Sequence, residues 1–123
     1  MGVVARYFER LFAIVGRKRV APPAVSADAS GLQIGSERLA WSDVRRLDAF
    51  KRDIYAGELL CLAILDSRDR LFEINEESPG WKDTCEAIED LLPGSVPHTE
   101  WLLRLMAAGP GEAVTVFPVA GSA

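Results

Sequence analysis

Apolar side chains recur at helical spacing through the N-terminal stretch Gly2–Arg19. They fill one half of a helical wheel, while charged and small residues fill the other half. The apolar positions are Val3, Val4, Tyr7, Phe8, Leu11, Phe12, Ile14 and Val15. Arg17-Lys18-Arg19 complements the helix dipole in the last turn, and Ala21-Pro22-Pro23 then ends the pattern. The pattern predicts an N-terminal amphipathic helix over residues 1–20.

After the prolines the period of the apolar positions changes to about two, which is typical of strands. Val25 with Ala27 and Leu32 with Ile34 predict a hairpin around residues 28–31, and Leu39-Ala40-Trp41 predicts a further short strand. Val44–Ile54 has mixed spacing, which favours a strand with a bulge or a helical turn inside it. Antiparallel strands joined by short turns are therefore expected across this region.

The next stretch, Leu59–Leu65, is apolar at every position, which predicts a central strand buried on both faces. Asp66-Ser67-Arg68-Asp69 predicts a hairpin turn, and Leu71–Ile74 the returning strand. Ser78-Pro79 then supplies an N-cap with proline at the first helical position, so we expect a helix over Pro79–Leu92. Its expected inward stripe is Trp81, Cys85, Ile88, Leu91 and Leu92.

Two further elements are expected near the C-terminus. A short helix, Thr99–Ala108, would place four residues on one side, namely Trp101, Leu102, Leu105 and Met106. Ala113–Phe117 reads as a closing strand because β-branched residues favour a pleated surface. The sequence thus predicts an α+β fold: a curved antiparallel sheet capped by a helix, with a helix before it and a short helix and strand after it.

Length and charge narrow the possible functions. A chain of 123 residues suits one domain with a genuine core. Met1–Arg19 has five basic residues against Glu9, a net of +4, which leaves −8 on the remainder of a chain whose formal charge is −4. An acidic body disfavours nucleic acid as a partner. The run Leu11–Val15 is too short for a signal-peptide core, and no apolar stretch reaches membrane-span length, so we expect a cytoplasmic protein.

Two segments carry a family resemblance. Gly31-Leu32-Gln33-Ile34 and Leu39-Ala40-Trp41-Ser42-Asp43-Val44 resemble the opening of bacterial pleckstrin-homology-like (PH-like) domains. Ala49–Asp53 and Glu73–Trp81 are similar to a small group of uncharacterised bacterial proteins with the same layout. The resemblance implies a PH-like core over residues 24–93, an extension over 94–123, and a binding or scaffold module rather than a catalyst. The fold itself supplies no ligand.

Candidate chemistry is sparse. Cys61, Cys85 and the single histidine, His98, form no ligand-spaced group, so we expect buried free thiols and neither metal nor cofactor. Ser42 and Asp43 complete the residue types of a hydrolytic triad without its spacing signature. An enzymatic or small-molecule-binding role is therefore the most remote alternative.

Charged residues on the expected strands suggest a structural network. Glu73, Asn75 and Glu77 would share one strand face as a partial cation site or, more simply, a solvated strand end. Alternation turns Glu76 inward, where it would need a partner. The candidate network residues are Lys51, Asp53, Glu76 and Trp81, with Arg46 as a further possible partner of Glu76.

A possible basic patch is weakened by its neighbours. Its members would be Arg45, Arg46, Lys51 and Arg52. Asp48 and Asp53 interleave with them, so a mixed, salt-bridged surface is expected instead of an anion-binding one. The three tryptophans, Trp41, Trp81 and Trp101, are expected to pack in the core.

The N-terminal helix is the strongest functional lead in the sequence. Its apolar face should dock against protein, either on its own domain or across a homodimer, and the competing hypothesis is a lipid surface attracted by its basic flank. The interaction candidates are Phe8, Leu11, Phe12, Val15, Arg6, Arg10 and Arg17. The sequence favours a non-catalytic module that binds an unknown protein partner or itself, with a peripheral membrane module as the alternative.

Overall fold

The computed structural model describes residues 21–54, 57–109 and 111–119, so the expected N-terminal helix lies outside the described residues. Seven strands and two helices follow one another in the described chain. The strands are β1 (Val25–Asp28), β2 (Gly31–Ile34), β3 (Glu37–Ala40), β4 (Val44–Ile54), β5 (Gly57–Asp66), β6 (Leu71–Asn75) and β7 (Val114–Phe117). The helices are α1 (Trp81–Leu91) and α2 (His98–Ala107). The α+β class is therefore confirmed.

The first three strands form an antiparallel sheet of two consecutive hairpins, in the order β1-β2-β3. The first turn is held by Asp28, whose carboxylate accepts hydrogen bonds from the Ser30 amide at 2.8 Å and the Arg38 guanidinium at 2.6 Å. These bonds, those from Arg38 first, hold the pKa of Asp28 well below its ordinary value. Gly31 is required after the turn, since a Cβ there would lie 1.9 Å from the Leu39 carbonyl oxygen.

The remaining strands form a second antiparallel sheet in the order β6-β5-β4-β7. The apolar strand β5 lies inside this sheet, and Leu59 and residues 61–65 are buried, which confirms the expectation of a central strand. The register of β4 shifts between Val44 and Arg46, which is the expected bulge. A turn held by the Asp66 carboxylate, which accepts from the Arg70 and Arg68 amides, joins β5 to β6.

The sequence predicted one curved sheet, but the strands divide into two. Between β3 and β4 the chain makes a single 3₁₀ turn at Trp41–Asp43, which interrupts the strand and redirects it. The Trp41 indole N–H donates to the Asp28 carbonyl at 2.8 Å, and the Ser67 amide donates to the Asp43 carbonyl at 2.8 Å. These bonds fix the 3₁₀ turn to both sheets, so β3 and β4 cannot continue as one straight strand.

Helix α1 begins two residues later than the Ser78-Pro79 signal predicted. Its N-cap is Gly80, at φ +87°, where a Cβ would lie 1.9 Å from the Val25 carbonyl oxygen. The Pro79 carbonyl accepts from the Val25 amide at 2.8 Å. Pro79 and Gly80 are therefore used to bind β1, and the helix starts only after that contact. Cys85, Ile88 and the capping residue Leu92 are buried beneath it, as the inward stripe predicted.

The C-terminal part belongs to the same core as the strands. Helix α2 buries Trp101 and Leu105, and β7 pairs with β4 and buries Val116. The exposed side of α2 differs from expectation, because Met106 is 66% exposed although the pattern placed it with the buried stripe. Residues 94–109 and 111–119 thus complete the domain around one large apolar cluster that also contains side chains of both sheets and α1.

Candidate functional site

The four-stranded sheet has two faces with different surroundings. Its core face contributes Leu47, Ala49, Leu62, Ile64 and Ile74 to the large apolar cluster. The three-stranded sheet and both helices contribute most of the other side chains of that cluster, so they cover this face. Its second face, defined by the side chains that alternate with these, holds a separate apolar cluster of Phe50, Leu59, Cys61, Ala63 and Leu65.

An ion pair lies across the second face. The Arg52 guanidinium on β4 donates to both carboxylate oxygens of Glu73 on β6, with nitrogen–oxygen distances of 2.6 and 3.1 Å. Burial alone would lower the pKa of Arg52, but the Glu73 carboxylate raises it above its ordinary value. The guanidinium carbon also lies 5.8 Å from the centre of the Phe50 ring. The pair bridges over β5 and is held in one geometry by two strands and a ring.

The thiol of Cys61 lies beneath this ion pair. Burial, followed by the Glu73 carboxylate, raises the pKa of Cys61 to about 12. Burial likewise raises the pKa of Cys85, on the core side, to about 12. Both cysteines are free and buried, as the sequence predicted. A thiol that stays protonated near neutral pH is a poor nucleophile, so neither group has the properties of a catalytic cysteine. His98 instead packs against Trp101, with ring centres 5.1 Å apart.

A second polar group lies on the same face where β4 meets β7. The Arg46 guanidinium donates to the Asp48 carboxylate at 2.7 Å and to the Thr115 hydroxyl at 3.1 Å. The Thr115 hydroxyl in turn donates to Asp48 at 3.1 Å. Asp48 is 1% exposed although it is charged, so this group needs its partners for stability. Arg46, Lys51 and Arg52 are thus engaged with carboxylates, as the mixed surface predicted, but Arg52 and Asp48 are more buried than the members of a surface pair would be.

The four residues predicted to form a polar network lie in separate environments. Lys51 donates to the Ala108 carbonyl at 2.7 Å, Asp53 is exposed, and Trp81 packs on the large cluster. Glu76 is exposed, contrary to the inward position that alternation predicted. The reason is that β6 ends at Asn75, after which the Glu76 carboxylate accepts the Leu60 amide at 2.9 Å. No bond among the described residues joins the four.

The polar residues at the end of β6 fix the strand and the turn that follows it. Glu73 faces Arg52, while the Asn75 side chain accepts the Glu77 amide at 2.8 Å and the Ser78 hydroxyl accepts the Asn75 amide at 3.1 Å. Among residues 21–54, 57–109 and 111–119, no group of three or more histidine, cysteine or acidic side chains could hold a metal ion. The described part of these strands therefore offers structural hydrogen bonds and ion pairs.

An exposed apolar surface on α2 was missed by the sequence reasoning. Leu103 is 70% exposed and Met106 is 66% exposed, and the two stand one turn apart on the side opposite Trp101 and Leu105. A signal was present in the sequence, because five of the six residues from 101 to 106 are apolar and a surface helix buries only one stripe. We call Leu103, Met106 and the exposed Ala107 the α2 surface.

The interaction candidates in the N-terminal segment (Phe8, Leu11, Phe12, Val15, Arg6, Arg10 and Arg17) lie outside the described residues. The helices that the structure does describe are 11 and 10 residues long, and neither has the length and apolar character to cross a membrane. No protein-family model, curated protein or solved structure matches this chain.

Proposed function

We propose that this chain is a non-catalytic binding or scaffold module that acts through protein–protein contact, and that the α2 surface is its contact site. The observation that carries the proposal is the exposure of Leu103 and Met106 on neighbouring turns of a well-packed helix. Exposed leucine and methionine side chains on one helix face form the kind of apolar centre that protein interfaces bury.

The packing of α2 supports this role because it holds the surface rigid. Trp101 and Leu105 anchor the helix in the core. At its C-terminal end, the carbonyl of the capping residue Ala108 accepts a hydrogen bond from Lys51 on β4. The Glu100–Arg104 pair borders the apolar side chains and supplies a polar rim. A prepositioned apolar centre with a charged rim binds without a large ordering cost.

The chemistry of the described side chains supports a non-catalytic role. The two thiols are buried and protonated near neutral pH, and the four-stranded sheet holds the ion pairs Arg46–Asp48 and Arg52–Glu73. Binding modules need a stable surface, whereas catalysts need an accessible group with a tuned pKa. The surface of α2 meets the first requirement.

The PH-like arrangement is part of the same proposal. It is supported by antiparallel strands in two sheets followed by helix α1. The chain adds α2 and β7 after that helix, and α2 carries the proposed contact site. We therefore propose that the PH-like core over residues 24–93 acts as a scaffold and that the extension over residues 94–123 carries the contact site.

The test places a photo-cross-linking residue at position 103 of the full chain in the cells that produce it. We expect a discrete protein adduct with this variant. The adduct should be lost in a second variant that carries Met106→Glu in addition to the cross-linking residue at position 103. A matched control adds the same charge at the exposed Ser36 in the turn between β2 and β3 and should leave the adduct intact. Equal loss in both variants, or no adduct from position 103, would refute the proposed site.

Self-association and membrane binding are separated by two further measurements. Sedimentation velocity of the wild-type chain and the L103E/M106E variant shows whether the partner is a second copy, in which case only the wild type dimerises. Flotation with anionic vesicles at low and high salt tests the peripheral membrane alternative. Salt-sensitive flotation that survives L103E/M106E, without any protein adduct, would favour the membrane module over our proposal.

A further inference from the structure

Apart from the Arg52–Glu73 ion pair above Cys61, the second face of the four-stranded sheet is buried without a cover among the described residues. Phe50 and Leu59 are 2% exposed, Leu65 is 5% exposed, and Cys61 and Ala63 are fully buried. Among the residues that the structure describes, every apolar side chain in or against this cluster belongs to the sheet itself, except Ala113 just before β7. Side chains on one face of a sheet shield each other laterally but leave their outer ends exposed. This degree of burial therefore requires a further layer packed on the face.

The described elements already lie elsewhere. Strands β1–β3 and helices α1 and α2 contribute their buried side chains to the cluster on the core face. Chain outside the described ranges amounts to residues 1–20, 55–56, 110 and 120–123. A layer over two or three strands needs an element several turns long, and only residues 1–20 have that length.

From these observations we infer that residues 2–19 of the same chain form the layer over the second face. A helix of this length would be roughly 27 Å long and 10 Å wide, while four strands span about 14 Å across, so one helix can cover β4 and β5. Its apolar half offers Phe8, Leu11, Phe12 and Val15 to the cluster of Phe50, Leu59, Cys61, Ala63 and Leu65. The proposal concerns a different surface from α2 and is independent of the proposed function.

Chain connectivity and charge both favour a cover from the same molecule. Six residue steps separate Arg19 from Val25 at the start of β1, enough to reach about 20 Å, which is the distance between layers on opposite faces of a sheet. The segment Met1–Arg19 carries +4 against −8 on the remainder of the chain. Opposite net charges attract the segment to the remainder of the chain, and the short connection keeps the segment near its own molecule.

The two cysteines provide a built-in test, because Cys61 lies on the second face and Cys85 lies under α1. The rate of modification by a thiol reagent is measured for each cysteine by peptide mass spectrometry, in the full chain and in a chain lacking residues 2–19. Removing the cover should raise the Cys61 rate by at least about tenfold while Cys85 stays protected. Protection of both cysteines in a folded deletion chain would overturn the inference.

Point variants keep the test decisive if the deletion chain fails to fold. Leu11→Asp places a charge on the apolar half of the segment, and Ala13→Asp places the same charge on its polar half. Leu11→Asp should raise the Cys61 rate at least about tenfold over Ala13→Asp. Equal rates would refute the inference.

A photoreactive phenylalanine analogue at position 8 distinguishes one chain from two. Cross-links to peptides of β4 and β5 should form within a single chain, at monomer mass and without mixing of isotope-labelled and unlabelled copies. Mixed-isotope dimers as the main product would show that a second copy supplies the cover, and would overturn the assignment to the same chain.

Discussion

The two faces of the four-stranded sheet achieve the same burial with different chemistry. The core face contributes five side chains from Leu47 to Ile74 to one large apolar cluster, and the three-stranded sheet and both helices pack on it. The second face combines a small apolar cluster with two charged groups, Arg52–Glu73 and Arg46–Asp48–Thr115. The core face is stabilised by apolar packing. The second face is stabilised by apolar packing together with ion pairs of fixed geometry.

This difference decides what each face can accept. An apolar face tolerates any well-fitting apolar layer, since the hydrophobic effect has no direction. A face that carries a buried guanidinium and a buried carboxylate accepts only a layer that keeps their hydrogen bonds intact. The second face is therefore the more selective of the two, although its apolar cluster is the smaller.

The largest expected effect tests the core face. Trp101→Ala should lower the free energy of unfolding by about 3–5 kcal/mol, because it removes a fully buried ring and leaves a cavity. Leu103→Ala, on the same helix, is the matched control and should change stability by no more than about 0.5 kcal/mol. Urea titration followed by circular dichroism measures both. Similar losses in the two variants would mean that α2 does not pack as described.

An intermediate effect is expected on the second face. Glu73→Gln preserves shape but removes the charge that accepts two hydrogen bonds from the Arg52 guanidinium, so we expect a loss of about 2 kcal/mol. Glu100→Gln makes the same change in the exposed pair with Arg104 and should cost no more than about 0.5 kcal/mol. Equal losses in the same titration would show that the Arg52–Glu73 pair is no more shielded than a surface pair.

The smallest expected difference compares the two faces through their thiols, which should behave alike. Both cysteines have a folded pKa of about 12 against an ordinary value of 9.0, so the folded state holds protons that the unfolded state releases. Stability from this source is complete below pH 9 and is lost as the pH rises toward 12, by about 1.4 kcal/mol per pH unit for each thiol.

The measurement is the slope of unfolding free energy against pH between 9 and 11, in the wild type, Cys61→Ala and Cys85→Ala. Each alanine should remove one thiol's share of the slope, and the two shares should be alike. A flatter contribution from Cys61 would mean that water reaches the second face more readily than the core face.

The sequence alone predicted the described elements well where one local signal dominated. The all-apolar stretch 59–65 predicted the central strand, and the helical spacing of Cys85 and Ile88 predicted the buried stripe of α1. Turn signals predicted the hairpins on either side of residues 28–31 and 66–69. In each case the determining interactions are between residues close along the chain, which a pattern records directly.

Errors arose where a distant residue decided the outcome. Glu76 was expected inward because alternation was continued past Asn75, but the Leu60 amide on the neighbouring strand captured its carboxylate. Helix α1 was expected to begin at Pro79, but the Pro79 carbonyl accepts a hydrogen bond from the Val25 amide of β1. Met106 was assigned to the buried stripe because the sequence does not show how wide a strip of α2 the core covers.

The candidate sites depended on tertiary structure almost entirely. In the sequence, Arg52 belongs to a possible basic patch and Glu73 to an acidic cluster. The two residues are 21 positions apart, and only the pairing of the strands makes them partners. The amphipathic character of residues 1–20 and the charge asymmetry of the chain are properties of composition, and the sequence fully displays them. Which side chains form the second face, where we propose that this segment docks, follows only from strand order, because pairing between β4, β5 and β6 decides which side chains share a face.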